Sequence, residues 1–358
     1  MAEQIAVVGG VDTHTDFHQA AVIDPIGRHL ATESFPTDPD GYRRLLDWLR
    51  SHGELVAVGV EGTGAYGAQL ARFLRSNQVT VIDVDRPDRR ARRKNGKCDP
   101  VDAYAAATAV LSGRACGTPK TRDGIVEAIR ALRVVRRSAV KSRTQTINQI
   151  RTLIITAPAD VRERLRTLPT AELIRTLARS RPGTDLTDPA CAARTALRRL
   201  ARRYQYLTEE IADADAELGP LVAQAAPDLV ALPGVGTESA AQLLITAGDN
   251  PGRLASEASF AHLCAAAPVP ASSGRTHRHR LNRGGDRQAN NALHMIALVR
   301  MRYDTRTQAY VARRTAEGMP KKDILRCLKR FIAREVYKHL TSTPTTPLAN
   351  SPGLLLVG

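Results

Sequence analysis

Along the first third of the chain, apolar residues come in short runs separated by turn residues, and the runs switch between a strand period and a helix period. Ile5–Val11 is an apolar run ending at Asp12. His18–Asp24 follows after a short polar turn, Pro25, Ile26 and Gly27 make the next turn, and Arg28–Phe35 alternates as a third strand. The opening therefore predicts an antiparallel meander. Asp38–Ser51 places Tyr42, Leu45, Leu46 and Leu49 at helical spacing and predicts the first helix. Glu54–Val60 predicts a fourth strand leading into Glu61, Ala65–Ser76 a second helix with Leu70, Phe73 and Leu74 inward, and Val79–Val84 a fifth strand. A helix starting near Asp99 completes the order β-β-β-α-β-α-β-α.

Beyond Pro119 the pattern becomes helical. Asp123–Ile155 predicts a long basic helix, with Ile125, Ile129, Leu132, Val135, Val140, Ile147, Ile150 and Ile154 recurring every three or four residues. Pro158, Pro169 and Pro182 interrupt the rhythm, and Asp188–Val222 resumes it through Leu197, Leu200, Tyr204, Leu207, Ile211 and Leu218, over about three heptads. An antiparallel hairpin or coiled coil that spaces two halves and pairs protomers fits this pattern; so does an ordinary helical bundle. Ala231–Ala247, Asp286–Arg302 and Lys321–Leu340 predict further helices, and the Thr, Pro and Ser-rich end reads as a disordered tail. The expected domains are 1–118, 119–225 and 226–340, with 341–358 as the tail.

Charge narrows the class of partner. Lys and Arg number 52 against 36 Asp and Glu, a net charge of +16, so a polyanion is expected and nucleic acid first. Arg136, Arg137, Lys141, Arg143, Arg198, Arg199, Arg202 and Arg203 of the helical middle could lie along it. No apolar run spans a bilayer and the N-terminus lacks the order of a secretion signal, so a soluble, cytoplasmic protein with no membrane partner is expected. The five cysteines stand singly with no C-x-x-C, which argues against a disulfide framework and structural zinc. Aromatic residues are only 4%, so backbone contacts and base pairing are expected to outweigh stacking.

The candidate chemistry centres on GKCDPVDAYAAA, residues 96–107. If Pro100 lies in a first turn, Asp99 and Asp102 share a helix face one turn apart. Helix capping is the structural explanation for such a pair. The alternative is a metal site completed by other acids. In a mixed sheet with the first and fourth strands adjacent, Asp12 and Glu61 meet at one edge under that helix. Four acids so placed can hold two Mg²⁺ ions ~4 Å apart for phosphoryl transfer. Asp16, Asp24, Asp83 and Asp85 compete as ligands less well, Asp24 as a turn residue and the last two for their place just before a basic run. That run, RPDRRARRKNGK, carries Arg89, Arg90, Arg92, Arg93 and Lys94 beside the acids, where they could hold phosphates.

Two motifs in the C-terminal third carry further chemistry. LPGVG, with Gly234 and Gly236, precedes an apolar helix in the form of a helix-hairpin-helix, whose turn amides can bind phosphate without reading sequence. APVPASSG then places Ser272 and Ser273 in a loop bounded by Pro and Gly, followed by cations including Arg278, Arg280 and Arg283. A hydroxyl exposed beside arginines is suited to attack a phosphodiester. Taken alone, S-S-G is an ordinary turn.

These motifs together resemble a known family. VDTHTD with Asp12, VEGTGAYG with Glu61 and KCDPVDA with Asp99 and Asp102 are similar to the D-E-D-D signature of the RuvC-like domain of insertion sequence 110 family transposases. APVPASSG, with NRGGDRQANNALH after it, resembles that family's serine-bearing C-terminal domain. The resemblance implies an α/β ribonuclease-H-like N-terminal domain, an α-helical or coiled-coil connector, and a mainly α C-terminal domain with a helix-hairpin-helix. It implies a DNA transposase or recombinase in which Ser273, with Ser272 as alternative, becomes joined to DNA. Catalysis would use Mg²⁺ held by Asp12, Glu61, Asp99 and Asp102. The implied partners are donor and target DNA, a structured guide RNA, and further copies in a dimer or tetramer. The family's usual Ser-Lys-x-Gly stands here as Leu281-Asn282-Arg283-Gly284, so no role for that lysine carries over. Two other readings fit the residues: a metal-dependent, junction-resolvase-like endonuclease using water, and a nucleic-acid-binding protein whose acids and serine are structural.

Overall fold

The computed structural model describes residues 5–84, 98–276 and 278–342. Its chain forms two units, one gathering residues 1–123 with 247–256 and the other residues 124–246 with 257–344.

The first unit is built on β1 (Ala6–Thr13), β2 (Phe17–Ile23), β3 (His29–Pro36), β4 (Glu54–Glu61) and β5 (Val81–Val84). They form one sheet in the order β3-β2-β1-β4-β5, with β1, β2 and β3 antiparallel and β4 and β5 parallel to β1. Between and after the strands come α1 (Pro39–Ser51), α2 (Ala68–Ser76) and α3 (Asp99–Leu111). Among the described residues the predicted element order is the observed one, and the mixed sheet is compatible with a ribonuclease-H-like domain. Asp38 caps α1, accepting the Gly41 N–H at 2.7 Å. Two starts come later than the periodicity predicts. Residues 62–67 are held in turns, with Ala65 and Gly67 both donating to the Gly62 carbonyl, so α2 begins at Ala68. Val79 donates to the Leu74 carbonyl and belongs to the end of α2, which delays β5 to Val81.

The two sheet faces differ in how closely they are covered. On one, Val11, Val22, Val58 and Val60 pack with Leu45, Leu49, Leu70 and Leu74 of α1 and α2. On the other lies α3, whose alanines replace large side chains. Gly10 and Gly59 are what let α3 lie this close. A Cβ on Gly10 would stand 2.2 Å from the Ala103 carbonyl oxygen, and one on Gly59 would stand 2.7 Å from the Val110 side chain. Residues 118–121 are tied to the 247–256 segment: Asn250 accepts the Thr121 N–H and donates to the Pro119 carbonyl.

The second unit begins with α4 (Ile125–Thr156), α5 (Ala159–Leu165), α6 (Thr170–Arg179) and α7 (Pro189–Ala225). The long helices α4 and α7 run antiparallel: Ile150 and Ile154 pack with Leu197 and Ala201, and Ala139 packs with Leu207 and Ile211. Leu173, Ile174 and Leu177 of α6 close the same cluster. Arg136 bonds Asp215, and Arg133 bonds Glu238 at 2.6 Å. The rest comprises α8 (Pro227–Val230), α9 (Thr237–Ala247), α10 (Glu257–Leu263), β6 (Val269–Pro270), β7 (His279–Arg280), α11 (Arg287–Tyr303), α12 (Thr305–Ala316) and α13 (Lys321–Ser342). Asp286 caps α11 through the Gln288 and Ala289 N–H groups and also accepts the buried Thr246 hydroxyl at 2.7 Å, tying α9 to α11. Glu257 of α10 takes both Arg330 and Arg334 of α13.

Candidate functional site

In the first unit the strand period decides which acids meet. Val11 and Val60 face α1 and α2, so Asp12 and Glu61, the next residues along neighbouring parallel strands, project on the α3 side. Gly10 and Gly59 lie two residues earlier on that same side, directly under α3. The contact they permit brings the first turn of α3, with Asp99 and Asp102, over the strand ends. Thr13 donates to the Glu61 carbonyl at 2.8 Å and holds the ends of β1 and β4 together. Cys98 rather than Asp99 occupies the N-cap of α3 and makes no side-chain cap bond, so Asp99 is not engaged as the cap.

Asp12 is 8% exposed and Asp102 is 1% exposed. Burial raises the Asp12 carboxyl above the ordinary carboxylate range, His14 pulls it back, and the neighbouring Asp102 and Asp99 charges push it up again. His14 was given no role by the sequence. Its Nε2 lies 3.2 Å from Asp12 Oδ2 and 3.4 Å from Asp99 Oδ1. One ligand atom each from Asp12, His14 and Asp99 falls within 4.8 Å of the others. The available signal was the two-residue spacing of Asp12 and His14, which a strand continuing past Val11 turns into a shared face. Buried oxygen donors, with a carboxyl raised above its ordinary range by burial and like charge, fit an oxygen-preferring divalent cation.

The competing acids go elsewhere. Asp24 accepts the Ile26 and Arg28 N–H groups at 3.1 and 2.8 Å, as a turn residue does. Asp83 alternates with Val81 toward the α1 and α2 face and accepts the Thr63 hydroxyl at 2.6 Å. Asp16 takes part in a backbone bond to Thr37. Asp85 and the basic residues Arg89, Arg90, Arg92, Arg93 and Lys94 lie outside the described residues.

In the second unit Ser272 and Ser273 sit at the tip of the hairpin formed by β6 and β7. Ser273 and Thr276 exchange backbone bonds, and Gly274, at φ +53°, takes the first central position of the turn, where a type II′ hairpin favours glycine. The two hydroxyls differ. Ser272 Oγ accepts the Arg278 N–H at 3.2 Å, whereas the Ser273 hydroxyl has no hydrogen-bond partner among the described residues. Arg278, Arg280 and Arg283 are exposed. Asn282 fixes the loop that follows by donating to the His262 carbonyl at 2.7 Å and accepting the Gly284 N–H at 3.0 Å. Gly234, at φ +74°, packs against Ile296, Val299 and Arg300 of α11, while nothing among the described residues stands within 4 Å of a Cβ on Gly236.

Comparison with known proteins settles what these parts belong to. Residues 9–156 match the DEDD transposase family of IS110, and residues 227–312 match a second family described as transposase IS116/IS110/IS902. The chain belongs to the IS110 family of transposases. It is 27% identical over 331 residues, 77% of this chain and 79% of the relative, to a Streptomyces coelicolor protein assigned as the mini-circle transposase for IS117. An uncharacterised 43.6 kDa protein of insertion element IS110 from the same organism is 37% identical over 93 residues, 26% of this chain and 23% of the relative. Membership makes the chain a DNA-acting transposase of an insertion element, and the DEDD family implies a divalent metal. Among the described residues, no helix is long and apolar enough to cross a membrane.

Proposed function

We propose that this IS110-family transposase cuts and rejoins DNA through a serine ester formed at Ser273. The observation that carries the reading is the contrast at the hairpin tip, where Ser272 is used in the backbone ladder and the Ser273 hydroxyl has no partner among the described residues. Attack by Ser273 Oγ on a DNA phosphorus forms a serine phosphoester, and the leaving strand oxygen departs with a proton. The reverse step, with a new strand end as nucleophile, restores the serine and joins the strands. An ester conserves the bond that water would spend, which suits strand exchange rather than simple cutting. Arg278, Arg280 and Arg283, on or beside the strand that returns from the tip, neutralise phosphate charge.

Mg²⁺ is the ion we assign to the acids, held by Asp12, Glu61, Asp99 and Asp102; when bound it supplies positive charge to the phosphoryl oxygens. The raised Asp12 carboxyl supports this, since a cation there would offset the burial and the like charges that raise it. Asp12 and Asp102 orient the set from buried positions, and His14 steers the Asp12 and Asp99 carboxylates. The turn at Gly236, open to solvent, acts as the phosphate-binding part of a helix-hairpin-helix. A structured RNA that pairs with donor and target DNA supplies sequence choice, a reading supported by the +16 charge and scarcity of aromatics. Holding two DNA sites calls for a dimer or tetramer, and exposed Val134, Val135 and Tyr206 on α4 and α7 support pairing along the helical hairpin. A recombination assay with donor DNA, target DNA and the element's non-coding RNA tests the whole. Ser273→Ala and Asp102→Asn each abolish joined product; continued strand cutting by Ser273→Ala, without joining, gives the water-using nuclease instead.

A further inference from the structure

Phe331 is an exposed aromatic side chain in a chain poor in aromatic residues. It lies on α13, is 48% exposed, and stands at 89° to the Tyr310 ring with the centroids 5.6 Å apart. Phe331 lines both a groove of about 990 Å³ between α13 and the stretch that follows β7 and a hollow of about 600 Å³. The larger groove has an apolar floor to which Leu281, itself 53% exposed, contributes. Its rim is cationic. Arg280, Arg283, Arg287 and Lys322 line it with no ion-pair partner among the described residues, and Asp323, the one carboxylate among its described lining residues, is already joined to Arg326.

Helix α13 extends this charge beside the ring. Lys322, Arg326, Arg330, Arg334 and Lys338 recur every fourth residue, a ridge with steps of about 6 Å. Glu257 offsets only part of it, since a single carboxylate takes both Arg330 and Arg334.

An exposed aromatic ring on an apolar floor, ringed by cations with no ion-pair partner among the described residues, has the composition of a site for single-stranded nucleic acid. Paired bases keep their faces inside the stack, so the occupant must be unpaired. A second copy of this chain fits poorly, because it carries the same +16 charge toward the same cations. We propose that Phe331 is a stacking platform for an unpaired nucleobase, and that the groove beside it seats a single-stranded segment whose phosphates lie along Arg280, Arg283, Arg287 and Lys322. This rests on the chain acting on nucleic acid and deepens that reading. Leu281 directly follows the strand that returns from Ser273, so the strand taken here is one opened near the serine hairpin.

The test uses the intact protein with a short fluorescein-labelled oligothymidylate and a duplex of equal length, followed by anisotropy. Phe331→Ala is expected to weaken binding of the single strand roughly tenfold or more and that of the duplex less than about twofold. Phe331→Trp should restore single-strand binding, and its added fluorescence should be quenched by the oligonucleotide. Unchanged single-strand binding by Phe331→Ala, or equal losses on both probes, overturns the platform. A changed sedimentation of the free Phe331→Ala protein with unchanged binding overturns it in favour of a contact between copies. If the alanine variant melts early, absence of quenching in Phe331→Trp is sufficient to overturn it. Formation of covalent protein–DNA product is followed in parallel. Wild-type protein that forms it without dependence on Phe331 loses only the platform; stacking without any covalent product loses only the serine reading.

Discussion

Gly10 sits so close to Ala103 that a Cβ on the glycine would stand 2.2 Å from the alanine's carbonyl oxygen. This contact sets the height of α3 above the sheet, and so the distance from Asp99 and Asp102 to Asp12. Gly10→Ala must push the helix backbone away, because no flexible side chain is there to yield. The expected cost is about 1–3 kcal/mol of stability, with loss of the stabilisation that Mg²⁺ gives. Urea unfolding with and without Mg²⁺ measures both. A variant that keeps the full Mg²⁺ response would show that helix height does not govern the acid cluster.

Metal binding should be visible as proton release. Burial and the nearby Asp102 and Asp99 charges hold the Asp12 carboxyl above its ordinary range. The metal-free fold therefore loses this group's contribution as pH rises through that raised value, and a bound cation reverses the loss. Titrating protein with Mg²⁺ in weakly buffered solution is expected to release protons at pH just above the ordinary carboxylate range. Mg²⁺ affinity should rise with pH over the same interval, and Asp12→Asn should abolish the release. Chelation should lower the melting temperature at neutral pH. Mg²⁺ binding without proton release from wild type would contradict the arrangement.

His18 supplies a separate pH dependence. It is fully buried, accepts the His14 backbone N–H on Nδ1 and leaves Nε2 without a partner among the described residues; burial, with a smaller effect from His14, lowers its pKa from 6.5 to about 4. The unfolded chain binds this proton more readily, so stability falls as pH drops from about 6.5 toward about 4. The full effect is on the order of 3 kcal/mol. His18→Phe keeps a ring stacked on Tyr42 and removes the titration, so its stability should vary less than wild type across that window in urea melts. Parallel profiles for the two proteins would contradict the assignment.

What the sequence made legible follows from what is local. Periodicity identified β1 to β5 and the helices among them because valines and leucines alternate or recur there without competing signals. It ended β1 at Val11, since Asp12 and Thr13 are polar; only pairing with Gln19 and His18 carries the strand on. That extension is what turns His14 toward Asp12, so His14 escaped notice. Gly10 read as part of an apolar run, because its purpose appears only when α3 lies against it. Helix α12 was missed since Thr305–Ala316 is short and arginine-rich, and depends on Asp304 accepting the Thr307 N–H. The serine loop proved to be a hairpin because Val269 and Pro270 pair with Arg280 and His279, residues with no alternating pattern of their own.

The central claim, that Ser273 carries the DNA during exchange, is tested most directly by trapping. Reactions with end-labelled donor DNA are stopped in denaturant, digested, and the nucleotide-bearing peptide is sequenced by mass spectrometry. A phosphoester is expected on Ser273 in wild type and in Ser272→Ala, and none in Ser273→Ala. An adduct on Ser272, or joined product made with no adduct by Ser273→Ala, would contradict it.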